Sequence, residues 1–231
     1  GYDSLSQLVT ACHLEEPRLF PLCTIERMER FSRGLLCLTG GDVGRLDRLI
    51  LRGSFSEADG WIDLLVGLYG RGNVFVEVER AWLPWGRTVE GRLTELASKK
   101  GVAMVAGGLV SHARPEDFPA QDVALCAETL CMVEEVIGRK PQRDTDQCQV
   151  PGRPLRSLNG ERYMRSPDEA AQLFLDRPEL LANTLIVADR CDDDVLPSRT
   201  RLPSIFKNPA QALREATYAG ASLYHKNITK E

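Results

Sequence analysis

Three short apolar runs punctuated by glycine most constrain the fold of this chain. Leu35-Leu36-Cys37-Leu38-Thr39 runs into Gly40-Gly41, and Val102-Ala103-Met104-Val105-Ala106 runs into Gly107-Gly108. Between them lies Val74-Phe75-Val76-Glu77-Val78-Glu79, β-branched and aromatic at alternate positions, the clearest strand in the chain. The first run is apolar on both faces, the pattern of a buried strand in a parallel sheet. Residues 56–69 carry Ala58, Ile62, Leu65 and Tyr69 at helical spacing and stop before Gly70. Val89, Leu93, Leu96 and Ala97 form a second helical face that Gly101 closes. Strands alternating with helices of 10–15 residues predict an α/β fold built on a parallel sheet or barrel.

Helical spacing also opens the chain. Leu5, Leu8, Val9 and Cys12 predict one amphipathic helix, and Ile25, Met28 and Phe31 a second, with Gly34 as its stop. Residues 138–160 change character: they are polar, carry Pro141, Pro151 and Pro154, and show no apolar period, so they read as a long surface loop. Two helix starts follow. Ser166-Pro167-Asp168-Glu169 is a capping box with proline at the first helical position, and Asp176-Arg177-Pro178-Glu179 has the same form. Asp192-Asp193-Asp194 reads as a solvated acidic loop, because adjacent aspartates point in different directions. A Pro-bounded loop through Pro197 and Pro203 leads to a last helix from Pro209 to Tyr224, capped by Asn208.

Charge and cysteine usage narrow the class. With 29 basic and 33 acidic residues among 231, the chain lacks the basic excess of a dedicated nucleic-acid binder. Its 43% hydrophobic and 27% charged composition is that of a globular protein rather than a disordered one. Seven cysteines form no CxxC pair, and Cys12, Cys37, Cys126 and Cys191 lie in apolar runs. They read as reduced, buried side chains in a cytoplasmic protein, not as a disulfide framework or zinc site. No run of about 18 apolar residues is present, so no membrane partner is expected. The chain begins at Gly1-Tyr2-Asp3 without an initiator Met or a basic-then-apolar leader, which suggests a start within a longer protein.

Candidate chemistry is sparse. Of His13, His112 and His225, only His112 follows a predicted strand at the end where α/β folds place their sites. Glu77 and Glu79 share one face of the 74–79 strand; paired carboxylates can do acid–base work or bind Mg²⁺, but here equally suit a solvated edge or partnership with Arg80. Gly40-Gly41-Asp42-Val43-Gly44 lacks the Lys and Ser/Thr of a phosphate loop and reads as a tight turn. The residues by themselves show no catalytic set.

Three stretches together resemble the PHP domain (polymerase and histidinol phosphatase) of bacterial C-family DNA polymerases, which include the alpha subunit of DNA polymerase III and its error-prone relatives. They are Gly1-Tyr2-Asp3-Ser4-Leu5 to Thr10-Ala11, Gly34 to Gly40, and the run from Glu161-Arg162-Tyr163-Met164-Arg165-Ser166-Pro167 through Pro178-Glu179 and Ala182-Asn183-Thr184 to Cys191. The third is the most specific, and the resemblance covers about residues 1–224. It implies an incomplete PHP-type (β/α) barrel with a C-terminal helical extension. The partial barrel would span 1–137, the surface loop 138–160 and the PHP C-terminal helices 161–204. Residues 205–231 would begin the linker or first helix of the polymerase body.

The family's metal site gathers His, Asp, Glu and Cys from the C-terminal ends of strands, so that converging ligands hold Mg or Mn ions that activate a water. Its opening H-x-H segment would lie upstream of Gly1. Within the chain, Gly41 stands where the resemblance places a ligating Cys, Leu109 where it places an Asp, and Ser111 where it places a His. His112 takes the neighbouring tyrosine position. The resemblance therefore implies a degenerate metal site with no catalytic residue in this segment and no cofactor of its own. The polymerase carboxylates come later in the family. The implied role is a scaffold in the parent DNA polymerase, serving replication or translesion repair. Its partners would be the rest of the polymerase chain, DNA through the parent enzyme, and a proofreading or accessory subunit. Gln121-Asp122-Val123 resembles the error-prone branch. The alternative is a metal-dependent phosphoesterase or 3′–5′ exonuclease of the same superfamily, working through His13, His112, Glu77, Glu79 or the Asp192–Asp194 run.

Overall fold

A computed structural model describes residues 1–17, 20–129, 132–133, 158–195 and 205–224, which divide into two units, Gly1–Cys191 and Asp192–Glu231. In the first unit, helices α1 (Tyr2–Leu14) and α2 (Ile25–Phe31) precede strand β1 (Cys37–Leu38). Helices α3 (Arg45–Leu51) and α4 (Phe55–Tyr69) lead to β2 (Val74–Glu79), and α5 (Gly86–Lys100) to β3 (Ala103–Gly107). Helices α6 (Phe118–Thr129), α7 (Pro167–Leu173) and α8 (Pro178–Asp189) complete it. The second unit carries α9 (Pro209–Tyr224).

The three strands form one parallel sheet in the order β1-β2-β3. Cys37 pairs with Val74 on one side of β2, and Phe75 through Glu79 pair with Ala103 through Gly107 on the other. Val74, Val76 and Val78 are almost wholly buried on the central strand. They pack with Leu46, Ile62, Leu93 and Leu180 from α3, α4, α5 and α8 in one core. Each such aliphatic side chain stabilises the fold by about 1.5–3 kcal/mol relative to exposure. Asn183 of α8 donates from Nδ2 to the Met104 carbonyl of β3 at 2.7 Å, fixing that helix against the strand.

Glycine ends the helices where the spacing predicted: Gly70 (φ +84°) follows α4 and Gly101 (φ +62°) follows α5, both in conformations that side chains resist. The box at α7 is complete, the Ser166 hydroxyl accepting from Glu169 N–H and the Glu169 carboxylate from Ser166 N–H. Asn208 accepts from the Gln211 amide at the start of α9.

Several expectations are corrected. The first apolar run is a strand only over Cys37–Leu38, with Leu38 40% exposed rather than buried on both faces. Helices α3 and α6 were not foreseen. The N-cap of α8 is Arg177, without a side-chain bond; Asp176, expected to cap it, is drawn off by the guanidinium of Arg80. Cys12 and Cys126 are buried, whereas Cys37 is only partly buried and Cys191 is exposed, because it lies past the C-cap Arg190 of α8. Asp192–Asp194 are exposed, as an acidic loop requires. Cys131, Cys148, Pro197, Pro203, His225 and residues 138–157 of the expected surface loop lie outside the described residues, as do positions 137 and 204 at the expected domain boundaries.

Candidate functional site at the strand ends

The C-terminal ends of the parallel strands gather carboxylates, and glycine makes the room for them. After β1 the chain turns through Gly40 (φ +89°) and Gly41 (φ +55°) into a single 3₁₀ turn, Gly41–Val43. A Cβ at Gly41 would lie 3.0 Å from Glu79 Oε2, and one at Gly107 would lie 2.0 Å from Glu77 Oε1. The turn brings Asp42 to the cluster, and α3 begins three residues later and carries Asp47 to the same place.

Each expected site residue now has an environment. Glu77 accepts the Gly40 amide at 3.1 Å, while its own backbone N–H donates to Thr39 Oγ1 at 2.9 Å. Burial and the charge of Glu79 push the Glu77 carboxyl above its ordinary value, against the pull of the Gly40 and Gly108 amides. Glu79, with a side chain only 5% exposed, accepts Arg162 Nε at 3.0 Å. Arg162 also donates to Asp42 from Nη2. The expected partnership of these glutamates with Arg80 does not form. Arg80 turns instead to Glu90 and Asp176, donates to the Leu173 carbonyl at 2.7 Å, and lies over the Phe174 ring.

His112 stands apart from the carboxylates in its bonding. Its Nδ1 accepts the Ser111 hydroxyl at 2.9 Å, and its Nε2 donates to the Gly160 carbonyl at 3.0 Å. Its backbone bridges to Tyr163, and its ring packs 5.8 Å from that of Phe118. Both ring nitrogens are thus engaged, Nδ1 with the neighbouring Ser111 and Nε2 with Gly160, and the second bond helps hold residues 158–164 beside the end of β3. Leu109 is 50% exposed. Ser111 donates its hydroxyl to His112 and its backbone N–H to the Arg162 carbonyl at 2.8 Å. His13 is exposed in the last turn of α1.

Three residues at this site went unread as functional: Asp42, Asp47 and Arg162. Asp47 is 4% exposed. Burial, with Asp42, Glu79 and Glu77 adding their negative charge, pushes its carboxyl up to about 8. Asp42 is raised by burial and by the hydrogen bond and charge of Glu79, and Arg162 opposes that rise. One oxygen of each, Asp42 Oδ1 and Asp47 Oδ1, is buried without a hydrogen-bond partner. Asp42 was visible inside its glycine turn. Asp47 was hidden because α3 carries only two turns of pattern, and Arg162 because a motif gives no partner for its side chain.

Two clefts flank Glu79. The larger, about 850 Å³, is lined by Asp42, Asp47, Trp82, Trp85, Val89 and Leu93 among others. The smaller, about 280 Å³, is lined by Arg162, Leu109 and Val110 among others. Trp82 is 66% exposed and held at φ +52°, a left-handed conformation uncommon for a bulky side chain. Among the described residues, no three His, Cys, Asp or Glu side chains are arranged to hold a metal ion.

Comparison with known proteins agrees with the sequence resemblance. Residues 1–81 match the PHP domain. The chain is 28% identical over 251 aligned positions to the error-prone DNA polymerase of Symbiobacterium thermophilum, covering 100% of this chain and 22% of that protein. It is 27% identical to the DNA polymerase III subunit alpha of Borreliella burgdorferi, covering 100% of this chain and 19% of that one. The corresponding subunit of Treponema pallidum is 32% identical over 83% of this chain and 15% of its own length. The chain thus spans about a fifth of the length of the curated relatives it matches. No helix among the described residues is long and apolar enough to cross a membrane.

Proposed function

We infer from this similarity that the chain is a PHP-domain segment of the bacterial DNA polymerase III alpha and error-prone polymerase kind, and that it serves its parent as a scaffold. The observation that carries the reading is the Arg162 guanidinium lying on Glu79 and Asp42 at the strand ends. A protein cation there compensates carboxylates that would otherwise have to attract a metal. Gly41, Leu109 and Ser111 at the expected ligand positions support the same reading, since hydrogen and an alkyl group cannot bind a cation and a hydroxyl binds one poorly. On this view the metal site is degenerate, the segment uses neither Mg nor Mn, and its fold is part of a PHP-type barrel. The parent acts in DNA replication or translesion repair, in the cytoplasm. It meets DNA through its other parts and holds a proofreading or accessory subunit.

The test is a titration of the purified chain with Mn²⁺ and Zn²⁺, followed by calorimetry and by metal analysis after gel filtration. No stoichiometric metal and no phosphatase or 3′–5′ exonuclease activity are expected. Tight stoichiometric metal, with hydrolysis that disappears in His112→Ala, would overturn the scaffold reading in favour of a phosphoesterase.

A further inference from the structure

The carboxylates at the strand ends are only partly compensated. Arg162, which lines the smaller cleft, satisfies Glu79 Oε1 and Asp42 Oδ2. Asp42 Oδ1 and Asp47 Oδ1 remain buried and without a partner. Both residues line the larger cleft, and Asp47 is more than nine-tenths buried. An unpartnered buried acceptor is costly unless a donor reaches it. Within the cleft the guanidinium of Arg80 is bound to Glu90 and Asp176, and Arg87 is exposed. Neither donates to Asp42 or Asp47.

We propose that the 850 Å³ cleft is a binding site for a small organic cation with a planar amidinium or guanidinium head. The head donates to Asp42 Oδ1 and Asp47 Oδ1, and an apolar body packs among Trp82, Trp85, Val89 and Leu93. Several observations select this chemistry. Asp47 is an acceptor among like charges from Asp42, Glu79 and Glu77, whereas Asp42 also has Arg162 and Arg48 nearby, so a ligand that reaches Asp47 brings donors and positive charge. The carboxylates do not converge as a metal site among the described residues, which favours a spread, planar set of N–H donors over a point charge. Aromatic walls next to buried carboxylates suit a flat cation. Trp82, held in a strained left-handed conformation on the wall, supplies an exposed indole that its neighbours do not cover. This inference stands apart from the polymerase reading, and its failure would leave that reading untouched.

The experiment titrates the purified chain with benzamidine and with the neutral isostere benzamide, following tryptophan fluorescence and heat. Saturable benzamidine binding at least tenfold tighter than benzamide is expected. Measured at pH 9, above the Asp47 titration at about 8, Asp47→Asn, which keeps shape and removes charge, is expected to weaken benzamidine at least tenfold, and Trp82→Ala at least threefold. Nα-acetyl-arginine amide serves as a second probe. If it binds more tightly than benzamidine, the guanidinium comes from an arginine side chain; either order supports a cation site. Equal affinity for benzamidine and benzamide would overturn the proposal. So would benzamidine affinity unchanged in a folded Asp47→Asn. Should that variant not fold, the wild-type comparison of cation with neutral isostere decides alone.

Discussion

Gly107 of β3 leaves the space that the Glu77 side chain of β2 fills: a methyl group at position 107 would lie 2.0 Å from Glu77 Oε1 and 2.3 Å from Glu77 Cγ. The clash reaches Cγ, so it is not relieved by swinging the carboxylate tip alone. Gly107→Ala is therefore expected to cost about 2–3 kcal/mol in urea unfolding, as overpacking does. In a Glu77→Ala background the same change is expected to cost less than half as much. A double-mutant cycle measures the coupling, and additive costs would show that the space is not shared.

Removing Arg162 strands two buried carboxylates. Arg162→Met is expected to lower unfolding free energy by about 3–5 kcal/mol, the range for breaking one side of a buried ion pair. Adding Glu79→Gln to Arg162→Met is expected to restore part of that loss, because one of the uncompensated charges goes with it. Equilibrium denaturation of the three variants at one pH checks both statements.

The raised carboxyls set a pH dependence. Asp47 is pushed from its ordinary 3.8 up to about 8 in the folded chain, and Asp42 and Glu77 move in the same direction. Between those values the folded state holds protons that the unfolded state has released, so stability falls as pH rises. This contribution is full below about pH 4 and is lost as pH passes through about 8. Asp47→Asn is expected to flatten the slope between pH 5 and 8 and to be more stable than wild type at pH 8. Urea midpoints across that range (roughly three pH units, enough to resolve the Asp47 contribution) provide the measurement.

Arg80 joins α5 to the end of α7 and the segment after it through Glu90, the Leu173 carbonyl and Asp176, with Phe174 beneath its guanidinium. Lysine offers one point charge where this arrangement uses a fork. Arg80→Lys is expected to cost about 1–2 kcal/mol and Arg80→Ala about 2–4. Differential scanning calorimetry distinguishes the two.

Ser166→Ala removes the oxygen that accepts from Glu169 N–H at the start of α7 and is expected to cost about 1 kcal/mol. Ser166→Asp should retain most of the stability, because a carboxylate can take over the same bond. Thermal melts of both variants suffice.

What could be read from the residues followed period and punctuation. β2, α4 and α5 were legible because each carries several apolar positions at one spacing, and the two helices end at glycines that take positive φ. β1 was overread: burial of its outer face depends on what covers Leu38, and a run of apolar residues carries no such information. α3 was missed because seven residues hold too few repeats to fix a period. Asp176 looked like a cap because the motif matched, yet a guanidinium 96 positions earlier in the chain competed for it. The candidate site was legible only in part. Glu77 and Glu79 alternate on a recognisable strand, whereas Asp47 and Arg162 join them through folding that brings positions 42, 79 and 162 together.

The bond from Arg162 to Asp42 has a consequence for the order of events during synthesis. The two residues are 120 positions apart in the chain, so while translation proceeds from the amino end, β1, β2 and β3 leave the ribosome well before their compensating cation. Until residue 162 emerges, the nascent strand ends hold Asp42, Asp47, Glu77 and Glu79 with no guanidinium from that segment to offset them. Long-range closure of this kind is slow compared with local helix formation. Compensation of Asp42 and Glu79 by Arg162 is therefore open to the nascent chain only after the Glu161–Arg165 segment has been made.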